Sequence, residues 1–407
     1  MTSTPESQEK EAEGGDDEQA TRPSLATIAT VFLRLGGTAF GGPAAHIALM
    51  DEELVRKRNW LSRQDFLDML GAANLIPGPN STELAIHVGH KMGGMPGLLI
   101  AGICFILPAF LMVSALAWLY IQYGKLPAMT AVLYGLKPVV IAIVFQALWL
   151  LAKASLKTTS LKITLPIVAA LYLLRVNELV LLFGCGLAAS VFHFAKSQPP
   201  RELRAMAILT SASSALLTGA YLLAAYTPKA MAYSPAALFF YFFKLGSVLY
   251  GSGYVLLAFL RTDLVENYHW ITSAQLLDAV AIGQTTPGPL FTTATFVGFL
   301  LGGPTGAATA TIGIFLPAFL LVAVTAPLIK RMRASALAGH FLDAVNAAAI
   351  SLMAGVLLQL GRAALIDLPT VVIAVSSAIF LIRFKLNSLW LMLGGAMAGF
   401  IVAQGEH

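Results

Sequence analysis

Residues 32–43 read FLRLGGTAFGGP, and residues 242–253, 210 positions later, read FFKLGSVLYGSG. The same offset carries Trp60-Leu61-Ser62 onto Trp270-Ile271-Thr272, Leu67-Asp68 onto Leu277-Asp278, and Pro77-Gly78-Pro79 onto Pro287-Gly288-Pro289. About 15 of the 62 positions from Phe32 to Gly93 are identical at this spacing without a gap. Self-similarity at one fixed period marks a duplicated unit. A one-residue deletion after Gly93 then brings Leu107-Pro108-Ala109-Phe110 onto Leu316-Pro317-Ala318-Phe319. The repeated residues are mostly glycine, proline and one cation per copy. These set backbone shape and charge, so the duplication points to a site as well as to a fold.

The chain has 407 residues, 57% hydrophobic and 12% charged, against about 25% charged in soluble domains. Stretches 97–120, 129–152, 177–195 and 304–326 carry few or no charges, and each can cross a bilayer core of about 30 Å. A large soluble helical core would need polar faces at a 3.6-residue period, which these stretches lack. The fold expected is an all-α polytopic membrane protein. Residues 1–23 form an acidic tail of disordered composition, with seven acids against Lys10 and Arg22. With no basic and then apolar run before residue 24, the tail does not read as a signal peptide. It carries −5, which leaves +10 on the rest of a chain totalling +5. A basic body suits cytoplasmic loops over anionic lipid, and it also suits an anionic substrate. Cys104 and Cys185 sit in separate apolar spans, with no metal-ligand or disulfide spacing. No Walker A, GxGxxG or His-Glu-x-x-His pattern is present, which argues against ATP-driven pumping by this chain alone. No cofactor, metal site or nucleic-acid partner is expected.

Each half opens with an apolar segment broken by glycines, 24–40 and 235–250. A polar amphipathic stretch follows and ends at an interfacial Trp60 or Trp270. Ser62-x-x-Asp65 and Thr272-x-x-Gln275 read as capping boxes, with Leu61/Phe66 and Ile271/Leu276 placed as hydrophobic staples. Helices are therefore expected from 63 and 273, each about 21 Å long up to Pro-Gly-Pro, too short to span. Short helices 80–91 and 290–301 follow. Two prolines around a glycine are a severe helix break, so a re-entrant hairpin with Pro-Gly-Pro at its tip is favoured over one kinked span. Pro77, Pro79, Pro287 and Pro289 are structural in this reading. Full spans are expected at 97–120, 129–152, 161–175 and 177–195, then at 304–328, 336–360, 364–382 and 387–404. The domains are a tail 1–23, a first repeat 24–205, a linking segment 206–230 containing a span 206–226, and a second repeat 231–407.

Basic loops at 56–63, 153–162, 196–204, 330–333 and 383–385 belong in the cytoplasm by the positive-inside rule. The stretch 266–273, equivalent to 56–63, carries Glu266 and no Lys or Arg. The two halves then run in opposite orientations. The amino terminus is cytoplasmic and the carboxyl terminus periplasmic if the first glycine-broken segment returns to its own side and 206–226 crosses. If the first segment spans and 206–226 does not, the halves are still inverted and both termini lie outside. Inverted repeats with broken helices are the mark of secondary transporters, whose site lies near the midplane. The helix after each Pro-Gly-Pro would present free N–H groups, from Asn80-Ser81-Thr82 and Leu290-Phe291-Thr292, each end worth about half a positive charge. Arg34 and Lys244 are equivalent cations in apolar surroundings. They complete a candidate anion site, or else snorkel or pair with Asp68, Asp278 or Asp343. Gly41, Gly42, Gly78, Gly251 and Gly288 would let backbone approach a ligand or another helix. Thr82, Thr292 and Thr293 would offer hydroxyls, or bond back along their own helices. His46, Glu83 and His87 occur in the first copy only. Glu83 and His87 share a helix face and could carry a coupled proton, or form a solvated pair near Lys91. Lys137, whose counterpart is Asn346, adds to the site or snorkels.

Phe40-Gly41-Gly42-Pro43, Glu53-Leu54-Val55 before Trp60-Leu61, Asp65-Phe66-Leu67-Asp68 and Pro77-Gly78-Pro79 together resemble the chromate ion transporter family, in its long-chain two-domain form. The resemblance covers about residues 24–405. It implies a multi-pass exporter of chromate in the inner membrane that gives chromate resistance, with sulfate as a close analogue. The second copy departs from the pattern, with Gly251-Ser252-Gly253 for Gly-Gly-Pro and Lys244 for Arg34. Expected partners are chromate or sulfate and the bilayer, with a homodimer left open. The readings weighed beside it are a carrier of sulfate or another anion, a passive channel, and an intramembrane enzyme on a phosphorylated lipid built on Glu83/His87. The enzyme reading lacks a recurring nucleophile–base pair.

Overall fold

The computed structural model describes residues 23–39, 42–124, 126–155, 159–196, 231–250, 253–326 and 336–405. The acidic tail before Pro23, the linking segment 206–230, Gly41 and Gly251 lie outside these residues. Among the described residues every regular element is helical. The first half contains α1 (Leu25–Thr38), α2 (Gly42–Met50), α3 (Arg63–Ala73), α4 (Asn80–Tyr123), α5 (Pro127–Ser155), α6 (Thr159–Leu173) and α7 (Glu178–Lys196). The second contains α8 (Pro235–Val248), α9 (Leu256–Phe259), α10 (Ser273–Thr285), α11 (Thr293–Thr325), α12 (Ala336–Ala364), α13 (Leu368–Arg383) and α14 (Ser388–Gly405).

The helix starts fall where the capping chemistry puts them. Ser62 accepts from Asp65 N at the head of α3, and Thr272 with Gln275 forms a complete capping box at the head of α10. The staple residues Leu61, Phe66, Ile271 and Leu276 are buried. Between α2 and α3, and again between α9 and α10, the chain widens into π-helical turns, Asp51–Lys57 and Leu260–Asn267. The sequence pattern did not suggest these turns.

α4 has 44 residues. Straight, it would reach about 66 Å, twice the bilayer core of about 30 Å. It is not straight. Gly93 and Gly94 leave helical geometry, with Gly94 at φ 61°, and Gly302 and Gly303 repeat the break in α11 with Gly303 at φ 61°. Such a backbone suits glycine, which lacks the Cβ that would clash. Gly89 then touches Gly97 and Ala101, and Gly298 touches Gly306 and Ala310. Residues eight apart on a straight helix would stand about 12 Å apart, so each chain folds back on itself at the glycine pair. The segment 80–92 is therefore a short returning helix, and 95–123 is a full span beside it. Structurally, Gly89 corresponds to Gly298 and Gly93 to Gly302. Both pairs already have the shortened spacing, so the one-residue deletion lies before Gly89, not after Gly93.

The two repeats interlace. α1 packs on α4, α8 on α11, and α4 on α11, which forms a central layer. α5 of the first half packs against α13 and α14 of the second, while α12 packs against α6 and α7 of the first. These flanking groups mix the halves, and a seam separates them from the central layer.

Candidate functional site

The Pro-Gly-Pro tips bind the two halves together at the centre. Gly78 N–H donates to Leu249 O at 2.7 Å, and Gly288 N–H donates to Ala39 O at 3.0 Å. Ala39 and Leu249 are the C-caps of α1 and α8, whose last carbonyls have no partner within their own helix. Each broken helix is thus finished by the tip of the opposite repeat, and the paired contacts obey the two-fold relation of an inverted repeat. Gly78 and Gly288 sit at φ +137° and +105°, a backbone region that favours glycine.

His46 reinforces one of these crossings. Its Nε2 is 3.0 Å from Ala39 O and its Nδ1 is 3.1 Å from Ser81 Oγ. A carbonyl only accepts, so Nε2 carries the proton, and a neutral ring takes the Ser81 hydroxyl at Nδ1. At the same position the second copy has Leu256. His46→Leu is expected to cost about 1–3 kcal/mol, the usual penalty for stripping partners from buried polar groups. Thermal unfolding in detergent measures this. A loss of stability with an unchanged pH profile of transport would confine His46 to bracing.

At the head of α4, Thr82 N–H and Glu83 N–H both bond Pro79 O, at 2.7 and 3.1 Å. The open amino end is therefore Asn80 and Ser81, one residue shorter than expected. In the second half Thr292 N–H likewise bonds Pro289 O, at 3.0 Å. Thr292 and Thr293 hydroxyls donate back to Pro289 and Leu290 carbonyls, both at 2.8 Å.

Glu83 is fully buried, and His87, one turn along, is 2% exposed. Neither side chain has a hydrogen-bond partner among the described residues, and the Thr82 hydroxyl and Asn80 Oδ1 share that condition. The Glu83 carboxylate lies against Gly78, in the space a Cβ would fill. Tyr250 of the second half is within its electrostatic reach. The solvated reading of this pair is overturned: both groups are in the interior, beside a Pro-Gly-Pro tip. Lys91 is elsewhere, paired with Asp65 at 2.7 Å.

Each cation of the proposed anion site has an acidic neighbour. The Arg34 side chain is 69% exposed and stands 3.9 Å from Glu53, a partner not foreseen from sequence. Lys244 is half-buried, within the electrostatic reach of Glu178. Lys137 neither snorkels nor stands free. It pairs with buried Asp278 at 3.2 Å, and Tyr120 donates to the second carboxylate oxygen at 2.8 Å. Asp68, the repeat of Asp278, accepts from Gln64 at 3.0 Å.

A cavity of about 600 Å³ opens on the seam between the central layer and the flanking helices. Its central wall holds Pro43, Asn80, Tyr254 and Gln284, and its flanking wall holds Gln146 and Asn346, with Lys385 at the α13–α14 turn. At about 30 Å³ per water it admits a small anion with much of its hydration. Among the described residues proposed as ligands, Asn80 alone lines it. Tyr254 OH meets Gln284 Oε1 at 3.4 Å, and Asn80 Nδ2 meets Asn74 Oδ1 at 2.6 Å. Gln284 is the repeat counterpart of Asn74, so each copy ends the helix before its tip with an amide. That recurrence was readable in the sequence but carried no identity to flag it.

The chain matches the Chromate transporter family twice, over residues 26–190 and 236–400. It is similar to the chromate transport protein of Cupriavidus metallidurans, 32% identical over 386 residues, covering 94% of each chain. The chromate transport protein of Pseudomonas aeruginosa is 30% identical over 419 residues, covering 96% of this chain and 99% of that one. The probable chromate transport protein of Synechococcus elongatus is 34% identical over 358 residues, covering 88% and 89%. No solved structure matches. Two family matches in tandem, relatives aligned over nearly their full length, and paired tips crossing between two inverted repeats lead to one statement: the chain belongs to the chromate transporter family, a family of transporters and not of enzymes.

Proposed function

We propose that this protein is a secondary transporter that carries chromate out of the cell across the inner membrane and so confers chromate resistance, with sulfate as a competing analogue. The observation that carries the reading is the seam cavity, whose inner end is the open amino terminus of α4 at Asn80. Backbone N–H groups and about half a positive charge there favour an anion. The amides of Gln146, Gln284 and Asn346 can donate to its oxygens without fixing it too tightly to leave. By the positive-inside assignment, the Lys385 turn faces the cytoplasm, so the cavity is the cytoplasmic vestibule, and the basic residue at its mouth draws in a dianion. Gly78, Ser81 and Thr82 stand behind Asn80 as the inner shell of this end.

Asn80→Leu, which installs the residue of the second copy, is expected to lower chromate flux into inside-out vesicles roughly tenfold at equal expression, the loss of one or two hydrogen bonds to a charged ligand. Unchanged flux sinks the assignment. Radiolabelled sulfate competing for the same flux separates the two cargoes.

Glu83 and His87 are the proton carriers of the proposal. A carboxyl that is fully buried and without a partner is costly as an anion, so it exchanges its proton only when the site changes access. Glu83→Gln is expected to abolish the response of chromate flux to an imposed pH gradient, while chromate/chromate exchange persists. A pH-driven flux equal to that of the parent would exclude Glu83 from coupling.

A further inference from the structure

The cavity at Asn80 has a counterpart at the far end of α12. This second cavity, about 670 Å³, is lined by Tyr172, Val176, Asn177 and Glu178 near the α6–α7 turn, by Arg261 and Glu266 of the π-helical turn, and by Gln359 and Arg362 of α12. From Asn346 in the first cavity to Arg362 in the second, α12 rises by about 24 Å, so the two open toward opposite ends of the molecule. The repeat relates them. At the shortened spacing that follows the deletion, Tyr172, Val176, Asn177 and Glu178 of the second cavity map onto Leu381, Lys385, Leu386 and Asn387 of the first. Leu150 of the first maps in the same way onto Gln359 of the second. They are one feature of the repeat, seen once in each orientation.

They differ in depth. The first reaches Pro43, Asn80 and Gln284 beside the tips, whereas the lining of the second contains no tip residue. Polar contacts across the seam close it. Arg261 donates to Gln359 of α12 and stands 3.1 Å from Glu266. The other oxygen of Glu266 is 3.9 Å from Arg175 on the α6–α7 turn. Thr262 bonds Glu178 across the same seam. At the first cavity the counterparts do not cross. Asp51, in the place of Arg261, pairs with Arg56 at 3.4 Å and with Arg63, all within the central layer. Leu150, in the place of Gln359, has no polar group to receive them. Arg56 stands in the place of Glu266, so the charges of the pair are exchanged between the two ends.

We propose that Arg261, Gln359 and Glu266 form the closed gate of a second, pseudo-symmetric path to the central site, and that the structure is open to one membrane face and shut to the other. Arg261 is the positioning residue of this gate: it is held by partners on both layers, while Arg175, at 82% side-chain exposure, adds little. The inference rests on the transport reading, and it supplies what that reading needs, a second access that opens as the first closes.

The test uses a cysteine at Ala147, a partly exposed residue in the wall of the first cavity, with Cys104 and Cys185 replaced by alanine. Labelling by a membrane-impermeant maleimide is followed in vesicles of both orientations. In the parent, label enters from the face of the first cavity only. Arg261→Gln is expected to raise labelling from the opposite face roughly tenfold, in line with a lost charged hydrogen bond, and Glu266→Gln should raise it in the same direction. A thermal unfolding midpoint in detergent equal to that of the parent shows that each variant is folded. Equal labelling from both faces in the parent, or no rise in either variant, overturns the gate. Chromate flux measured on the same vesicles separates the two ideas: altered labelling without chromate flux keeps the gate and removes the cargo.

Discussion

Lys137→Met is expected to destabilise the folded protein by about 3–5 kcal/mol, because it leaves a buried carboxylate without its cation. Asp278 is only 4% exposed at its side chain and Lys137 23%, with 3.2 Å between them. The bilayer offers no water to replace the ammonium, and Tyr120 supplies a single hydrogen bond to the other oxygen. Uptake of a proton by Asp278 limits the loss without abolishing it. Asp278→Leu should be comparably harmful, since it strands the lysine. The double variant Lys137→Met/Asp278→Leu is expected to recover most of the stability, since a buried pair replaced by apolar groups of similar size is close to neutral. Thermal unfolding of the four proteins in detergent gives the coupling energy directly. Additive losses in the double variant would show that the pair is not a unit.

Gly288→Ala carries the second large effect. The new Cβ would lie 2.6 Å from Ala109 Cβ, on a backbone at φ +105°. Strain in that region costs about 1–3 kcal/mol, and overpacking a filled interior costs about 1–3 kcal/mol more. The shift needed to relieve the contact would also pull Gly288 N–H away from Ala39 O. Stability should therefore fall by about 2–6 kcal/mol, and transport should be lost beyond what expression explains. Adding Ala109→Gly removes the contact but not the backbone strain, so it should restore only part of the stability. Complete rescue by Ala109→Gly, or no effect of Gly288→Ala, would show that the tip tolerates a side chain.

Much of this architecture was legible in the residues. The duplication, the caps at Ser62 and Thr272, and the breaks at the two Pro-Gly-Pro tips all follow from local chemistry, and the helices begin where that chemistry places them. The site was less legible. Arg34 and Lys244 drew attention because a cation recurred in apolar company, yet Arg34 faces Glu53, which lies on a π-helical turn that hydrophobic periodicity does not report. Gln284, Asn346, Tyr254 and Gln146 are ordinary amides and a phenol, scattered across both repeats, and only folding gathers them. Glu83 and His87 were visible as the acid and base missing from the second copy. Their burial was not, because depth depends on which helices cover a face.

Sequence alone settled the local geometry: where helices start, where glycine and proline break them, and that the unit occurs twice in opposite orientation. These are properties of the backbone and of charge counted along the chain. Tertiary structure decided everything that depends on one repeat meeting the other. It set each tip against the broken helix of the opposite half, interlaced the flanking helices of the two halves, and buried Lys137 with Asp278. It also left one seam cavity deep and its counterpart closed. Two nearly equivalent repeats cannot encode that last difference in their common pattern. It arises because packing places unlike residues, Arg261 and Asp51, Gln359 and Leu150, at equivalent points of the two seams.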